Sequence, residues 1–390
     1  MEFKNLGLSP KVLKIIDKLN YTEPTVIQTK TIPSIIKGKD VIGKSATGSG
    51  KTLAFGCGIV ERVIPKKGLQ ALVLTPTREL AEQVKEEIRV LSDKRLNILA
   101  IYGGVAINPQ IKMLNHSEVV VATPGRLLDH LNRKTIDLSK IKLVVLDEAD
   151  RMLDMGFIDD VKKILRYTPK EKQTLFFSAT ISGEIRSLSN KYMKNPIDVS
   201  GTEMVDPTKL EQIYYDVDRN MKLALLVHLL KNEKSGLVMV FCNTRRNTEF
   251  VVKNLKANNL YATAIHGGLT QNKRSRTLDK FNTSKVEIMV CTDVAARGLH
   301  ISNVSHVYNY DIPKDPKDYV HRIGRTARAG EEGKVINLLS EFDHDSFRKI
   351  KQRYREFNIN RVNTPHLKRV TIIKPSRKRK GKYSPRRRRR

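Results

Sequence analysis

The chain of 390 residues is poor in cysteine and has no long apolar run. Its three cysteines, Cys57, Cys242 and Cys291, lie far apart without a CxxC pair, which argues against a zinc site or a disulfide framework. We interpret them as packing residues. No apolar stretch reaches the length of a membrane span, and the N-terminal residues lack the pattern of a signal peptide. We therefore expect an intracellular protein, cytoplasmic, or nuclear or nucleolar if the source is eukaryotic.

Acidic residues are scarce relative to basic ones. The chain holds 41 Asp and Glu against 72 Lys and Arg, which gives a formal net charge of +31. Residues 368–390 contain 13 Lys or Arg and no acid, and the preceding part is also basic. An acidic polymer is the expected partner. Nucleic acid is favoured over a membrane because no amphipathic apolar face accompanies the basic tail.

The most informative stretch is LVVLDEAD, residues 143–150, in which a short apolar run ends at three acids. A short run rich in β-branched residues is typical of a buried parallel strand. Ligands of open α/β sheets bind beyond the carboxyl ends of the strands. Asp147, Glu148 and Asp150 are therefore predicted at the mouth of a crevice, where carboxylates would attract a cation.

A glycine-rich stretch, SATGSGKT at residues 45–52, supplies the matching half of this site. A glycine-rich turn into a helix exposes backbone N–H groups and the positive end of a helix dipole to a triphosphate. Lys51 would reach the β- and γ-phosphates, and Thr52 would bind Mg²⁺. Asp147 would hold the same ion through water, and Glu148 would deprotonate the attacking water. The nucleotide-binding residues predicted in this loop are Thr47, Gly48, Ser49, Gly50, Lys51 and Thr52.

The region before this loop looks helical and contains NYTEPTVIQ, which ends at Gln28. A glutamine side chain both donates and accepts hydrogen bonds, so beside a phosphate loop it suits the edge of adenine. Phe3, upstream, is predicted to stack on the adenine ring. Alone, Gln28 would be read as an ordinary surface amide.

Short apolar strands alternate with helical stretches through most of the chain. This alternation favours parallel sheets covered on both faces. The candidate strands are residues 71–74, 98–102, 119–121, 143–146, 174–177, 237–241, 262–265, 286–290, 306–308 and 335–339. A polar break interrupts the pattern near residues 200–208, which predicts a linker between two α/β domains.

Small polar or glycine-rich clusters follow most strands of the first half. Single clusters can be turn chemistry, but several at one edge of a sheet predict a phosphate-binding track that includes Arg78 and Arg126. The second half has no phosphate loop and instead carries QNKR, TDVAARG and HRIGRTAR. Arg325 and Arg328 are three residues apart, so on a helix they share a face and could meet an anion from outside their domain.

Taken together, these motifs make the chain resemble the DEAD-box ATP-dependent RNA helicases of superfamily 2. NYTEPTVIQ with Phe3 is similar to the Q motif. SATGSGKT, PTREL, TPGR, DEAD and SAT are similar to motifs I, Ia, Ib, II and III. VFCNT, QNKR, TDVAARG and HRIGRTAR are similar to motif IV, the QxxR element and motifs V and VI. The likeness spans about residues 3–340.

The resemblance implies two tandem RecA-like domains, each a mostly parallel sheet flanked by helices, with a disordered basic C-terminal tail. The implied boundaries are residues 1–200 for domain one, 201–209 for the linker, 210–365 for domain two and 366–390 for the tail. ATP with Mg²⁺ would bind domain one, and Arg325 and Arg328 would complete the site as arginine fingers. His321 would bond Asp150, and Ser178 and Thr180 would couple these acids to domain closure.

RNA would lie along both domains, as single strand or short duplex. The residues implied to contact it are Thr77, Arg78, Gly104, Thr123, Arg126, Asn243, Gly267, Arg274, Thr292 and Arg297. Such contacts address phosphate and 2′-hydroxyl groups, so binding should be largely independent of sequence. Closure on ATP and RNA would bend one strand until its partner leaves, and hydrolysis would reopen the protein. A monomer is expected, with ribonucleoprotein partners left open.

The chain departs from the family pattern at three positions. Ser45 replaces a usual alanine or glycine, and Ala327 replaces a common glycine; both changes are modest. His300 stands where the family usually has an aspartate that contacts the ATP ribose. Histidine offers no carboxylate, so we predict weaker or altered ribose recognition with hydrolysis retained.

Alternative functions remain open at this point. A DNA helicase or translocase would share the two-domain motor, but Asp150 and NYTEPTVIQ argue against it because translocating relatives usually carry His at that position and lack the adenine reader. An ATP-gated RNA clamp with slow turnover is the second alternative. The basic tail is interpreted either as an RNA tether or as a nuclear localisation signal. The RNA target and cellular process are not indicated.

Overall fold

The computed structural model describes residues 2–45, 48–201, 210–296, 299, 301, 304–326 and 332–373. Within these residues the strands form two seven-stranded sheets, one from residues 41–200 and the other from residues 210–361. We call the two halves domain one and domain two. The predicted fold class, two tandem α/β domains with helix-flanked parallel sheets, is confirmed. The predicted linker falls outside the described residues apart from Gly201.

The sheet of domain one has the strand order β3-β4-β2-β5-β6-β1-β7, and all its described pairings are parallel. Its strands are β1 (Val41–Lys44), β2 (Ala71–Leu74), β3 (Ile98–Ile101), β4 (Val119–Ala122), β5 (Leu143–Asp147), β6 (Gln173–Ser178) and β7 (Ile197–Ser200). Because the strands are parallel, their carboxyl ends all meet at one edge of the sheet.

The sheet of domain two repeats this arrangement with the order β10-β11-β9-β12-β13-β8-β14, again with parallel pairings throughout the described strands. Its strands are β8 (Leu210–Asp216), β9 (Leu237–Phe241), β10 (Ala262–Ile265), β11 (Ile288–Cys291), β12 (Val304–Asn309), β13 (Gly333–Leu339) and β14 (Ile359–Arg361).

Helices connect successive parallel strands and cover both sheets. Those of domain one are α1 (Pro10–Lys18), α2 (Val26–Ile36), α3 (Lys51–Arg62), α4 (Arg78–Leu91), α5 (Ile107–Leu114), α6 (Pro124–Asn132), α7 (Ala149–Asp154), α8 (Ile158–Arg166) and α9 (Gly183–Tyr192). Those of domain two are α10 (Lys222–Asn232), α11 (Arg245–Ala257), α12 (Gln271–Asn282), α13 (Asp293–Ala296), α14 (Pro316–Ile323) and α15 (His344–Arg353). None of the helices in the described ranges is long and apolar enough to span a membrane.

Strand β5 shows why the apolar runs become central strands. Leu143 and Val145 pack into the core on one face of the sheet, and Val144 and Leu146 pack into the core on the other face. Both faces of a parallel sheet are covered by helices, so every residue of the strand can be apolar. The strand therefore holds Asp147 rigidly at its carboxyl end.

The predicted strands all occur, with ends shifted by no more than a few residues. The strands β7, β8 and β14 were not among the predicted strands, which began at residue 71. The sequence analysis left the end of the chain to a disordered tail. It placed residues 366–373 in this tail, whereas the structure bonds this stretch to domain two. The three cysteines are buried, in agreement with a packing role.

Candidate active site

The phosphate loop joins β1 to α3. Gly48 and Gly50 both adopt positive φ angles, 83° and 90°, which glycine reaches without strain. Gly50 is the N-cap of α3, so the helix N-terminus opens toward the carboxyl edge of the sheet. Lys51 is buried, and its Nζ donates a hydrogen bond of 2.8 Å to the Ser45 carbonyl. The loop thus presents the geometry that binds phosphate.

Gln28 supports this loop from helix α2. Its Oε1 accepts a hydrogen bond of 2.9 Å from the Thr25 backbone N–H, and its Nε2 donates one of 3.0 Å to the Gly50 carbonyl. The Thr25 hydroxyl donates to the Ser49 carbonyl at 2.7 Å. The NYTEPTVIQ stretch is therefore joined to the phosphate loop by several hydrogen bonds.

Asp147 ends strand β5 beside the loop. Its Oδ1 is buried and has no hydrogen-bond partner among the described residues. Burial raises the pKa of Asp147, and the neighbouring charge of Glu148 raises it further. Thr52 and Asp147 line the same cavity. An unpaired carboxylate oxygen beside a threonine hydroxyl fits Mg²⁺, which proteins hold with few side chains and with substrate phosphates.

Glu148 occupies a strained backbone position next to this carboxylate. Its φ of 54° lies in the left-handed region, which is unfavourable for a residue with a side chain. Its Oε2 lies 2.6 Å from Nη1 of Arg151, one helical turn later, and both side chains are buried. Arg151 was not predicted from the sequence, although the spacing of three residues could have indicated the pair.

Asp150, the last acid of the stretch, is held by residues at the end of β6. Its backbone N–H donates to the Ser178 hydroxyl at 3.1 Å, while Thr180 donates to Asp150 Oδ2 from its N–H and its hydroxyl. Burial would raise the pKa of Asp150, but the charges of Lys51 and His321, together with the hydrogen bonds to Ser178 and Thr180, hold it below its ordinary value. The charge of His321 in domain two is thus one of the contributions that lower the pKa of Asp150.

One cavity of about 360 Å³ is lined by residues of both domains. Leu299 and Arg325 come from domain two, and domain one contributes residues of the phosphate loop with the acids Asp147 and Glu148. The lining residues are Tyr21, Glu23, Thr25, Gln28, Gly48, Gly50, Lys51, Thr52, Leu53, Leu80, Gln83, Glu87, Asp147, Glu148, Leu299 and Arg325. Arg325 is buried and donates to the Leu299 carbonyl at 2.7 Å.

The predicted stacking residue is not at this cavity. Phe3 is 5% exposed and belongs to the core of domain one, so its ring is packed among apolar side chains. Tyr21, half exposed at 48%, lines the cavity beside Gln28. Tyr21, the second residue of the NYTEPTVIQ stretch, is the aromatic residue that lines the cavity in the described part of the chain, and the sequence analysis did not predict it.

The residues predicted to contact RNA follow corresponding strands in the two domains. In domain one, Thr77 and Arg78 follow β2, Gly104 follows β3, and Thr123 and Arg126 follow β4. These strands are neighbours at one side of the sheet. In domain two, Asn243, Gly267 and Thr292 follow β9, β10 and β11, which occupy the equivalent side. The residues predicted to contact RNA therefore lie at the carboxyl edge of each sheet, after equivalent strands of the two domains.

Glycines on this edge lie against arginine side chains. Gly104 has a φ of 81°, and a Cβ atom there would collide with the Arg78 guanidinium. A Cβ atom at Gly267 would lie 3.0 Å from Arg245 Nη2. Arg126 donates to the Val105 carbonyl at 3.0 Å. Arg245 is exposed, whereas Arg78 and Arg126 are partly buried and held by these contacts.

Arg274 is engaged differently from its predicted role on RNA. Its Nε lies 2.6 Å from Glu79 Oε1 of domain one, and its Nη2 donates to the Ala295 carbonyl at 2.7 Å. Gln271, on the same helix α12, bonds both Arg78 and Glu79. This part of α12 therefore joins the two domains directly.

Arg322 is a buried arginine that the sequence analysis did not single out. It is 1% exposed and bonds Asp293 through Nε and Nη2, Asn243 Oδ1 through Nη2 at 2.9 Å, and Asn309 Oδ1 through Nη1 at 2.9 Å. One guanidinium thus ties the loops after β9 and β11 to helix α14.

Four predicted positions, Thr47, Arg297, His300 and Arg328, lie outside the described residues.

The sequence profile of the DEAD/DEAH box helicase family matches residues 25–188, and that of the helicase conserved C-terminal domain matches residues 221–330. A DEAD-box ATP-dependent RNA helicase CshA from Geobacillus kaustophilus is 45% identical over 370 residues, which cover 94% of this chain and 79% of that protein. The fold and the two-domain site define a nucleotide-dependent helicase core. The chain belongs to the DEAD/DEAH box helicase family.

Solved structures resemble the whole two-domain arrangement. S. cerevisiae Dbp5 bound to RNA and ADP BeF3 is 32% identical with a TM-score of 0.85, over 93% of this chain and 96% of that one. A Dbp5 chain bound to Nup159, Gle1, IP6 and ADP gives a TM-score of 0.66 at 30% identity, over 92% and 96%. Since coverage is nearly equal, the higher score indicates that the domains here are placed more as in the RNA-bound Dbp5.

Proposed function

We propose that this protein is an ATP-dependent RNA helicase that binds RNA largely without sequence specificity. It separates short duplexes or remodels RNA–protein complexes, and it hydrolyses ATP to ADP and phosphate for release. The observation that carries the proposal is the position of Arg325, which lines the same cavity as Lys51 and Glu148 although it comes from the other domain. A nucleotide site completed by both domains couples hydrolysis to domain closure.

The ATP site is built mainly from domain one. The N–H groups of the loop from Gly48 to Thr52, with Lys51, surround the phosphates. Gln28 and Tyr21 line the same cavity and are placed to bind the base, the ring of Tyr21 by stacking. Thr47 is assigned to the nucleotide-binding loop only because it matches the family motif.

Thr52 and Asp147 would hold a magnesium ion. The ion would neutralise charge on the β- and γ-phosphates during transfer. The structure favours this assignment because Asp147 Oδ1 is buried without a hydrogen-bond partner in the described part of the chain.

Glu148 is the residue placed to orient and deprotonate the attacking water. Arg151 holds its Oε2 at 2.6 Å, and the strained backbone at Glu148 directs the side chain into the cavity. Arg325 brings a permanent positive charge to the phosphates, and Arg328 is proposed to act beside it. In related phosphoryl-transfer enzymes such an arginine contributes roughly 10³ to 10⁵ in rate.

RNA binds the polar edge formed after β2, β3 and β4 in domain one and after β9, β10 and β11 in domain two. Asn243 is exposed and Arg78 and Arg126 are partly buried at this edge, where a phosphate backbone would meet them, and Arg297 is proposed to join them. Asp150, Ser178, Thr180 and His321 couple this edge to the nucleotide. Closure bends one strand, so that its partner leaves the duplex.

The test compares ATP hydrolysis without nucleic acid, with single-stranded RNA and with DNA of the same sequence. We expect RNA, and not DNA, to stimulate ATP hydrolysis. We also expect ATP-dependent separation of a short RNA duplex. Equal stimulation by DNA would favour a DNA helicase or translocase and contradict the proposal. A monomeric state, a cytoplasmic location and ribonucleoprotein partners stay predictions.

The alternative is an ATP-gated RNA clamp with slow turnover. RNA dissociation measured with ATP and with a non-hydrolysable analogue separates the two functions. A helicase releases RNA faster with ATP, whereas a clamp releases it equally slowly with both nucleotides.

A further inference from the structure

Helix α4 contributes one of its faces to the nucleotide cavity. Leu80, Gln83 and Glu87 all line the cavity, and their spacing of three and four residues places them on the same face of the helix. Strand β2, which precedes α4, neighbours β5, so the helix begins near the acids that end β5. From Leu80 to Glu87 the helix advances by about 10 Å at 1.5 Å per residue. This face of α4 therefore extends along the cavity, away from those acids.

Glu87 differs from the other glutamates of α4. The other three each pair with a cation: Glu79 with Arg274, Glu82 with Lys85 and Glu86 with Arg89. Glu87 pairs with no Lys or Arg of the described residues, and its Oε1 instead accepts a hydrogen bond of 2.6 Å from Gln83 Nε2. Its Oε2 bonds no protein group in the described part of the chain. One oxygen of this carboxylate is thus left for a ligand.

An acid without a cationic partner is unexpected in a cavity that binds a polyanion. Glu87 is partly buried, so its charge is only partly screened by water. It would repel the phosphates of a nucleotide, and Asp147 and Glu148 already supply the carboxylates proposed for the metal and the water. A carboxylate accepts hydrogen bonds and donates none. Glu87 is therefore favourable only opposite hydrogen-bond donors of the ligand.

Two ionisable groups indicate where Glu87 lies along the cavity. Burial raises the pKa of Tyr21, and the charge of Glu87 raises it further. The raised pKa of Asp147 results mainly from burial and from the charge of Glu148, with a smaller contribution from Glu87. Such effects weaken with distance. Glu87 is therefore near both the ring proposed to stack on the base and the acid proposed to hold the metal at the phosphates.

The part of a nucleotide between its base and its phosphates is the ribose. The 2′- and 3′-hydroxyls of ribose are hydrogen-bond donors, and an acidic side chain accepts from a ribose hydroxyl in dinucleotide-binding proteins of the Rossmann type. With the base at Tyr21 and the phosphates at Lys51, the ribose occupies the middle of the cavity. The donors that the carboxylate of Glu87 requires are thus present at its own position.

We propose that Glu87, held by Gln83, accepts a hydrogen bond from a ribose hydroxyl of the bound nucleotide. The site thereby distinguishes nucleotides that carry ribose hydroxyls from those that lack them. This inference rests on the proposed function, since it requires an adenine nucleotide in the cavity. Glu87, Gln83 and Tyr21 all belong to domain one, so the contact forms before the domains close. It is independent of position 300, which belongs to domain two.

The test compares the binding of ADP and of 2′,3′-dideoxy-ADP to the full chain by calorimetry, with Mg²⁺ and without RNA. Diphosphates avoid hydrolysis during the titration, and the absence of RNA leaves the contact to domain one. The probe lacks both hydroxyls because a carboxylate could accept a hydrogen bond from either. We expect the unaltered protein to bind ADP about five- to ten-fold more tightly than the dideoxynucleotide, as for one hydrogen bond.

Glu87→Met removes the acceptor and keeps the length of the side chain, so the ratio of the two Kd values should fall close to one. Loss of the negative charge also strengthens the binding of both diphosphates, but it does so equally, and the ratio isolates the hydroxyls. Glu87→Gln retains one acceptor oxygen and should give an intermediate ratio. Gln83→Met should also give an intermediate ratio, because Glu87 loses the donor that orients it.

The matched control is Glu86→Met, which removes a glutamate one residue away on the same helix. Glu86 is half exposed and pairs with Arg89, and it does not line the cavity. We expect this variant to keep the ratio of the unaltered protein. An equal fall in the Glu86 and Glu87 variants would show that the ratio reports the general charge of α4 and would overturn the inference.

Two further results would overturn the inference and leave the proposed function intact. One is an unaltered protein that binds both nucleotides equally well. The other is a Glu87→Met variant that keeps the ratio for the dideoxynucleotide but changes the ratio between ADP and GDP, because Glu87 would then contact the base and not the ribose. If the unaltered protein bound no ADP at all, the proposed function itself would fail.

Discussion

The guanidinium of Arg274 lies 2.6 Å from the carboxylate of Glu79, and this pair joins helix α12 of domain two to the start of helix α4 in domain one. Both side chains are nearly buried, at 12% and 13% exposure. An ion pair with so little solvent contact depends on both partners, because either charge alone would be left desolvated. The pair therefore helps to hold the two domains together in this arrangement.

The first prediction concerns this pair. If Arg274 acts through Glu79, then Glu79→Gln and Arg274→Gln should each weaken RNA-stimulated ATP hydrolysis, and the double variant should be little worse than either. We expect a coupling of roughly 0.5–3 kcal/mol, the range found for contacting residues. The measurement is the RNA concentration at half-maximal ATPase rate. Additive losses would show instead that Arg274 contacts RNA independently.

The second prediction concerns Arg325. Because its side chain lines the nucleotide cavity from domain two, Arg325→Ala should lower kcat at saturating RNA by roughly 10³ while ATP still binds domain one. Arg325→Lys keeps the charge but loses the planar fork, so it should recover only part of the rate. A full rate in the lysine variant would mean that charge alone is sufficient. Equilibrium binding of a fluorescent ATP analogue provides the control.

The sequence predicts the strands well where apolar runs are continuous. Runs such as those of β2, β4 and β9 are buried on both faces, so composition alone identifies them. Strand β8, LEQIYYD, alternates buried and exposed residues beside the predicted linker, and β14 is short. Their pairing depends on the far parts of domain two, which no local pattern encodes.

The candidate site is predicted where a motif places its functional groups directly at the cavity, as at Lys51 and Asp147. It is missed where a charged group is turned inward. Arg151 and Arg322 are nearly fully buried. The sequence analysis made no prediction for Arg151, and it expected arginines of HRIGRTAR, the motif that contains Arg322, to meet an anion from outside their domain. Only the partners brought together by the fold, Glu148 and Asp293, explain their orientation.

The third prediction tests the structural role of Arg322. Arg322→Met removes the partner of Asp293 and should destabilise domain two by about 3–5 kcal/mol, as with other broken buried pairs. For a domain of this size that corresponds to a melting temperature lower by roughly 10 °C. Combining it with Asp293→Asn should recover part of the loss, since no uncompensated charge then remains. Arg246→Met, an exposed change on α11, should leave the melting temperature unchanged.

The fourth prediction concerns Glu148. Glu148→Gln keeps the size of the side chain but removes the base, so single-turnover ATP hydrolysis should slow by roughly 10²–10⁴. The ATP-bound protein should then stay on RNA, which dissociates slowly in the presence of ATP. Glu148→Asp, which retains a carboxylate, should hydrolyse ATP faster than the glutamine variant. Equal rates of ATP hydrolysis in the two variants would show that Glu148 is not the base. In cells, crosslinking with Glu148→Gln should trap the protein on its natural RNAs.

The fifth prediction concerns ribose recognition. Leu299, the residue that precedes His300 in the sequence, lines the nucleotide cavity. The family pattern has an aspartate at this position, whose carboxylate accepts a hydrogen bond from a ribose hydroxyl. Histidine has no carboxylate to do so. We therefore expect the natural protein to discriminate weakly between ATP and 2′-deoxy-ATP, and His300→Asp to increase the ratio of their KM values. The kcat for ATP should change little, because the catalytic groups Glu148 and Arg325 are untouched. Identical KM ratios in both proteins would show that residue 300 does not read the ribose.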